Sequence, residues 1–313
     1  MEKERIKRAY IALEGLAIGD AFGEMFSYSH ETVRRRMENN KIPPAPWWHT
    51  DDTEMALAIV ENLSFFGKIN QNSLAQRFAN RFMDEPDRGY GKMTRIILKK
   101  IINGDDWKNV SQSAFSGEGS MGNGAAMRVA PLGAYFSDNL ETVVREAKAS
   151  AEITHAHPEG RAGAIAIAVA SATSWNMRGK LKETAISKIF DYVLNYTPQS
   201  KTYDGIKKAS ELSHQIEIKK AVKILGNGSL VTSQDTVPYA IWCATKNIDN
   251  FVEAMIETVS GGGDCDTNCA MAGGIVASFS DKSIPKSWLE AKEKFRLEAN
   301  YTIEEFESTK ESF

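Results

Sequence analysis

The chain has 313 residues, with 38 Lys and Arg against 41 Asp and Glu, a formal net charge of −3, and 42% hydrophobic against 25% charged residues. That balance excludes disordered, collagen-like and fibrous chains, and it offers no cationic face for bulk nucleic-acid binding, which needs several phosphates neutralised at once. No run approaches the ~18 apolar residues of a membrane span, and the charged start MEKERIKRAY leads into no signal-peptide core, so a cytoplasmic chain without a membrane partner is expected.

Apolar residues recur at helical spacing along the chain, with few alternating stretches, so an all-α fold is predicted. Helices are expected over 3–22, 53–66, 71–83, 92–102, 140–153, 159–177, 181–195, 203–223, 236–245, 248–260, 267–279 and 301–311. No Pro/Ser-rich linker, low-complexity tract or solenoid repeat divides them, so residues 1–313 read as one compact, single-domain orthogonal helical bundle. In the first helix Gly15, Gly19 and Gly23 recur every four residues and bare the backbone along one face. Each costs about 1 kcal/mol of helix propensity, which a close tertiary contact must offset. The run Ala162 to Ala172 marks a second tightly packed helix, and Cys243, Cys265 and Cys269, without zinc spacing, read as small buried thiols.

Two acidic turns stand out. In Trp47-Trp48-His49-Thr50-Asp51-Asp52-Thr53-Glu54-Met55 two adjacent carboxylates precede an apolar helix. Asp51 as N-cap with Glu54 three residues on makes a capping-box-like pair, which leaves Thr50 and Asp52 as extra oxygen donors. In Gly261-Gly262-Gly263-Asp264-Cys265-Asp266-Thr267-Asn268, Asp266 suits a helix cap, while Asp264, two residues earlier, can turn toward the same centre. If the fold brings the two turns together, four carboxylates and two threonine hydroxyls share one place, and their repulsion calls for cations. Two Mg²⁺ or Mn²⁺ ions would balance them, since oxygen donors on a glycine-bearing loop suit hard divalent ions better than zinc. A third segment, Gly117-Glu118-Gly119-Ser120-Met121-Gly122-Asn123-Gly124, holds a formal G-x-G-x-x-G but lacks the βαβ context of a dinucleotide fold. Its amides, with Arg128 nearby, suit a pyrophosphate or a ribose; the alternative is a plain turn with Arg128 on a solvated face.

Four segments, taken in order, resemble the ADP-ribosylglycohydrolase family, which includes the dinitrogen-reductase-activating glycohydrolase. They are Gly15-Leu16-Ala17-Ile18-Gly19-Asp20-Ala21-Phe22-Gly23, Thr50-Asp51-Asp52-Thr53, Gly122-Asn123-Gly124-Ala125-Ala126-Met127-Arg128-Val129-Ala130-Pro131 and Gly262-Gly263-Asp264-Cys265-Asp266-Thr267-Asn268. The resemblance implies a compact all-α fold and a binuclear magnesium or manganese centre held by Thr50, Asp51, Asp52, Asp264, Asp266 and Thr267. It also sets Thr154-His155 beside the substrate, so His155 or His157 is expected to contact a phosphate or ribose, with Gly122, Asn123, Gly124 and Arg128 holding the rest. Several members of the family carry a glutamate where this chain has Ser27, and Glu24, three residues earlier, is the candidate to take over part of its role.

The expected activity is metal-assisted hydrolysis of an N- or O-glycosidic bond between ADP-ribose and an acceptor, a protein side chain, with Asp51 or Asp52 positioning or deprotonating the water. An ADP-ribosylated small molecule as substrate, or a non-catalytic ADP-ribose-binding role, are the alternatives. His30, His49 and His214 belong to no constellation in the sequence, Trp47, Trp48 and Trp242 read as core or cleft wall, and no G-x-S-x-G nucleophile occurs.

Overall fold

The computed structural model describes residues 2–27 and 42–296. Among these residues fifteen α-helices form and no strand does, apart from two isolated bridges, Trp47 with Lys292 and Gly122 with Thr232. In chain order the helices are α1 (Glu2–Glu24), α2 (Asp51–Phe66), α3 (Gln71–Asp84), α4 (Lys92–Ile102), α5 (Trp107–Ser113), α6 (Ala130–Tyr135), α7 (Leu140–Glu152), α8 (Pro158–Asn176), α9 (Lys182–Tyr196), α10 (Lys201–Glu211), α11 (Ile218–Leu225), α12 (Ser233–Lys246), α13 (Phe251–Ser260), α14 (Cys265–Phe279) and α15 (Lys286–Ala291). Single polar residues start many of them. Thr50, Asn70, Asn139, Ser200 and Asn250 each accept a hydrogen bond from a backbone N–H of the first turn, satisfying donors the helix cannot.

The all-α expectation agrees with this architecture. The predicted helix over 203–223 is two helices: Leu212 is extended, and Ser213 accepts the N–H of Gln215 in a short turn before α11 begins. Trp242 Nε1 donates to the carbonyl of Leu212, a tertiary contact that holds the chain open there and that no local periodicity records. The short helices α5, α6 and α15 were not predicted, being under two turns long, where an apolar period has no room to repeat. The expected helix over 301–311 lies outside the described residues.

The glycine spacing in α1 has a specific partner. Helix α1 runs antiparallel to α14, with Gly15 against Gly273 and Ala277, Gly19 against the carbonyl of Cys269, and Gly23 against that of Cys265. A Cβ at any of the three would overlap α14 backbone, so the two helices touch where side chains normally intervene. The close contact is what offsets the poor helix propensity of the glycines. It also sets the C-terminal end of α1 beside the N-terminal end of α14, and α2 packs on α1 with its own N-terminus at the same level. The Ala-rich α8 packs against α6, α7, α9, α12 and α14, and the buried apolar side chains form one continuous cluster. All three cysteines are buried free thiols.

Candidate active site

Three helix ends meet at one point. Thr50 is the N-cap of α2, accepting from the N–H of Asp52, so Asp51 is the first helical residue and not the cap that local spacing suggests. Glu54 does not close a capping box either; its carboxylate turns to His49 and Arg81. At α14 the N-cap position is Asp264, which makes no side-chain capping bond, and Asp266 sits inside the first turn in place of the cap position expected for it. Freed from capping, Asp52, Asp264 and Asp266 turn inward. Asp52 Oδ2 lies 3.2 Å from Thr50 Oγ1 and accepts from Thr267 Oγ1 at 3.4 Å, a contact across 215 residues that joins the two acidic turns. Asn123 links the glycine loop to them, its Nδ2 donating to Asp264 Oδ2 at 2.7 Å and to Thr236 Oγ1 at 3.1 Å.

Asp20 is the residue that sequence reasoning missed. It lies between Gly19 and Gly23 in sequence but turns to α2 rather than α14, is fully buried, and accepts from the N–H and Oγ1 of Thr50 and from the N–H and Oγ1 of Thr53, the last at 2.5 Å. One carboxylate thus pins the start of α2 to α1. The available signal was a lone acid in the otherwise apolar stretch from Gly15 to Gly23.

The electrostatics follow from burying like charges together. Burial first, then the charges of neighbouring aspartates, push Asp51 and Asp52 well above the ordinary carboxylate range. Burial and Asp266 raise Asp264 to about 8, while burial lifts Asp20 to about 6 against the pull of His49 and Thr53. Asp264 and Asp266 interact side chain to side chain, which adds to the rise of Asp264 and works against the burial that raises Asp266. Glu24, the last residue of α1, is half-buried and raised by burial and by Asp266; the helix ends there, and Ser27 reaches back from the following turn to hydrogen-bond its carboxylate.

Among the described residues no three His, Cys, Asp or Glu side chains are already gathered as a metal-binding group. The donor set nevertheless suits hard cations. Its acids and hydroxyls are all oxygen donors, Asp52 Oδ1 is buried with no hydrogen-bond partner, and Asp51, Asp52 and Asp264 are each disfavoured as anions by neighbouring aspartates, a state that positive charge would relieve.

The remaining candidates divide. His155 is buried with its ring against Gly122 and Gly124: a Cβ at either glycine would lie 3.1 Å from its Nε2. Burial and the charge of Arg128 lower its pKa to about 3, leaving the imidazole neutral. His157, in contrast, caps α8, its Nδ1 accepting the N–H of Glu159 at 3.1 Å, so its position has a local cause. Arg128 is neither at the loop surface nor on a solvated face, as the two readings of the sequence had it. It is 0% exposed, stacked 4.3 Å over Phe78, and donates to the carbonyl of Ser150 and to Thr154 Oγ1, so its guanidinium faces protein rather than solvent.

Beside this centre lies a second charged cluster. His49 donates from both ring nitrogens, Nε2 to Glu54 Oε1 at 2.8 Å and Nδ1 to Glu293 Oε1 at 2.7 Å, and against burial the two carboxylates raise its pKa; Arg88 binds Glu293 at 2.5 Å, and Arg81 bridges Glu54 and Glu61. The sequence had assigned His49 to no constellation because Glu293 is 244 residues away. Trp47 is buried among Phe22 and Trp288 and Trp242 is buried beside His214, as core residues, whereas Trp48 is 56% exposed.

An all-α fold with buried carboxylates converging at the ends of two distant helices agrees with the resemblance seen in the motifs. The chain matches the family model described as ADP-ribosylglycohydrolase over residues 1–310 and belongs to that family of hydrolases. It is 30% identical to ADP-ribosylhydrolase ARH3 of Mus musculus over 332 residues, covering 93% of this chain and 88% of the relative. ADP-ribosylarginine hydrolase Tri1 of Serratia proteamaculans (strain 568) is 24% identical over 311 residues, covering 92% of this chain and 76% of the relative. A solved chain from an ADP-ribosylglycohydrolase-related protein complex superposes with a TM-score of 0.66 at 24% identity, covering 93% of this chain and 94% of that one, a likeness of fold. Among the described residues no helix is long and apolar enough to cross a membrane.

Proposed function

We propose that the chain hydrolyses the glycosidic bond between ADP-ribose and a protein side chain, using two divalent cations, Mg²⁺ or Mn²⁺, held by Thr50, Asp51, Asp52, Asp264, Asp266 and Thr267. The observation that carries this reading is the junction of the two acidic turns through Asp52 and Thr267, beneath the loop that Asn123 ties to Asp264. When bound, such cations supply charge that orients ribose hydroxyls and lowers the pKa of nearby water.

The protein's own groups do the rest. Asp51 or Asp52 positions or deprotonates the attacking water. As the water oxygen bonds to the anomeric carbon, the bond to the acceptor breaks, and Glu24 at the rim is the acid that returns a proton to the leaving group. Gly122, Asn123 and Gly124 present backbone to the pyrophosphate or ribose, and His155 contacts the same region. The names of the relatives support an ADP-ribosylated substrate, and that of the Serratia protein makes arginine a linkage to test first.

Replacing Asp264 and Asp266 together by Asn should abolish both Mn²⁺ binding in calorimetry and release of ADP-ribose from peptides ADP-ribosylated on arginine or serine. Retained turnover of the double variant in EDTA overturns the proposal. Cleavage of free ADP-ribosyl compounds but of neither peptide would move the substrate to the small-molecule class.

A further inference from the structure

Arg128 is a cation with no solvent exposure and, among the described residues, no ion-pair partner. Such a charge is expensive to bury, and burial pulls its pKa down to about 9 while Asp51 acts against that pull. Its hydrogen bonds show what it holds. Nη2 donates to the carbonyl of Ser150 at 2.9 Å and to Thr154 Oγ1 at 3.0 Å, and Thr154 Oγ1 lies 2.7 Å from His155 Nδ1.

A guanidinium only donates, so Thr154 Oγ1 accepts from Arg128 and its own proton is left over. The side chain of Thr154 is fully buried, and His155 Nδ1 is the one acceptor recorded for that proton among the described residues. Were Nδ1 protonated instead, the threonine proton would be stranded, at the cost of an unmade buried hydrogen bond. Nδ1 therefore accepts, and the imidazole proton sits on Nε2. That nitrogen has no protein partner among the described residues and faces Gly122 and Gly124, where the missing Cβ atoms give the ring room to approach the loop.

We infer that Arg128 and Thr154 are positioning residues that fix His155 as an Nε2–H donor aimed at the Gly122–Gly124 turn, where it holds a phosphate or ribose oxygen of the ADP-ribosyl group. This rests on the reading of His155 as a ligand contact given above. It assigns His155 a constant role as a neutral donor, with no proton transferred to or from substrate, and it explains why a buried arginine is placed under the loop.

Two-bond ¹H–¹⁵N spectra of the imidazoles in the full-length chain at neutral pH read the tautomer directly. The wild-type protein should show His155 as Nε2–H; Thr154→Val should lose that exclusive signature and bind free ADP-ribose about tenfold more weakly, the loss of one well-placed hydrogen bond. Thr154→Ser, which restores the hydroxyl, should recover the Nε2–H spectrum. An Nδ1–H tautomer in the wild type, or a Thr154→Val spectrum identical to it, overturns the relay. A separate measurement tests the reading beneath it: if His155→Ala binds ADP-ribose as tightly as wild type in calorimetry, His155 is no ligand contact, whatever its tautomer.

Discussion

Two clusters of buried charge share the first turn of α2 and are built on opposite rules. In one, His49, Arg81 and Arg88 alternate with Glu54, Glu61 and Glu293, so every charge faces its opposite. Burial would raise Glu54 and Glu293, yet hydrogen bonds from His49 and the neighbouring arginines outweigh it and hold both below the ordinary range, Glu293 at about 2. In the other, Asp20, Asp51, Asp52, Asp264 and Asp266 face one another, and every one of them is raised. The matched cluster straps the 285–296 segment across the start of α2 and is satisfied as it stands. The unmatched cluster lowers the stability of the bare protein, a cost that makes sense where a ligand later supplies the missing positive charge.

The same chemical change, carboxylate to amide, should therefore have opposite consequences on the two sides. If Asp52 holds a cation as proposed, Asp52→Asn is expected to cost at least about 100-fold in ADP-ribose release, while the melting temperature in EDTA stays level or rises because repulsion is relieved. A fall in that melting temperature would place Asp52 among structural acids and erase the contrast. Glu54→Gln should do the reverse, costing about 3 kcal/mol in urea unfolding as His49 and Arg81 lose a shared partner in a buried setting.

Glu293→Gln, in a more exposed position, should cost about 2 kcal/mol at neutral pH. Because its folded-state pKa is depressed, the wild-type contribution is present above about pH 4.5 and disappears as pH falls toward 2, so the wild-type and variant melting curves should converge on acidification. The smallest effect belongs to the boundary between the clusters. Glu24→Gln should lower kcat by about tenfold with little change in melting temperature, since this carboxyl is half-buried and serves the rim of the site; an unchanged kcat would remove it from the mechanism.

How much of this was readable beforehand depends on the range of each contact. Both acidic turns, the glycine face of α1, the Ala-rich α8 and most helix boundaries were legible, because composition and a 3.6-residue period are local properties. Local reasoning also produced definite errors. It made Asp51 and Asp266 into caps and put Arg128 at the surface, since helix-end preferences and charge are judged against average surroundings. Asp20 passed unremarked because its partners, Thr50 and Thr53, lie on another helix, and His49 because Glu293 arrives from the far end of the chain.

The amino-acid order was sufficient to specify an all-helical chain, the two aspartate-bearing turns and the bare glycine ridge, for each depends on residues within a turn or two of one another. Which of those acids would face their own kind and which would find a cation was settled by packing. The backbone contact of Gly15, Gly19 and Gly23 with α14 brings residues some 240 positions apart to one level. Whether a buried carboxylate is satisfied or left wanting a partner is a property of that meeting, because electrostatic energy depends on distance in space and on exclusion of water, neither of which is written in neighbouring residues.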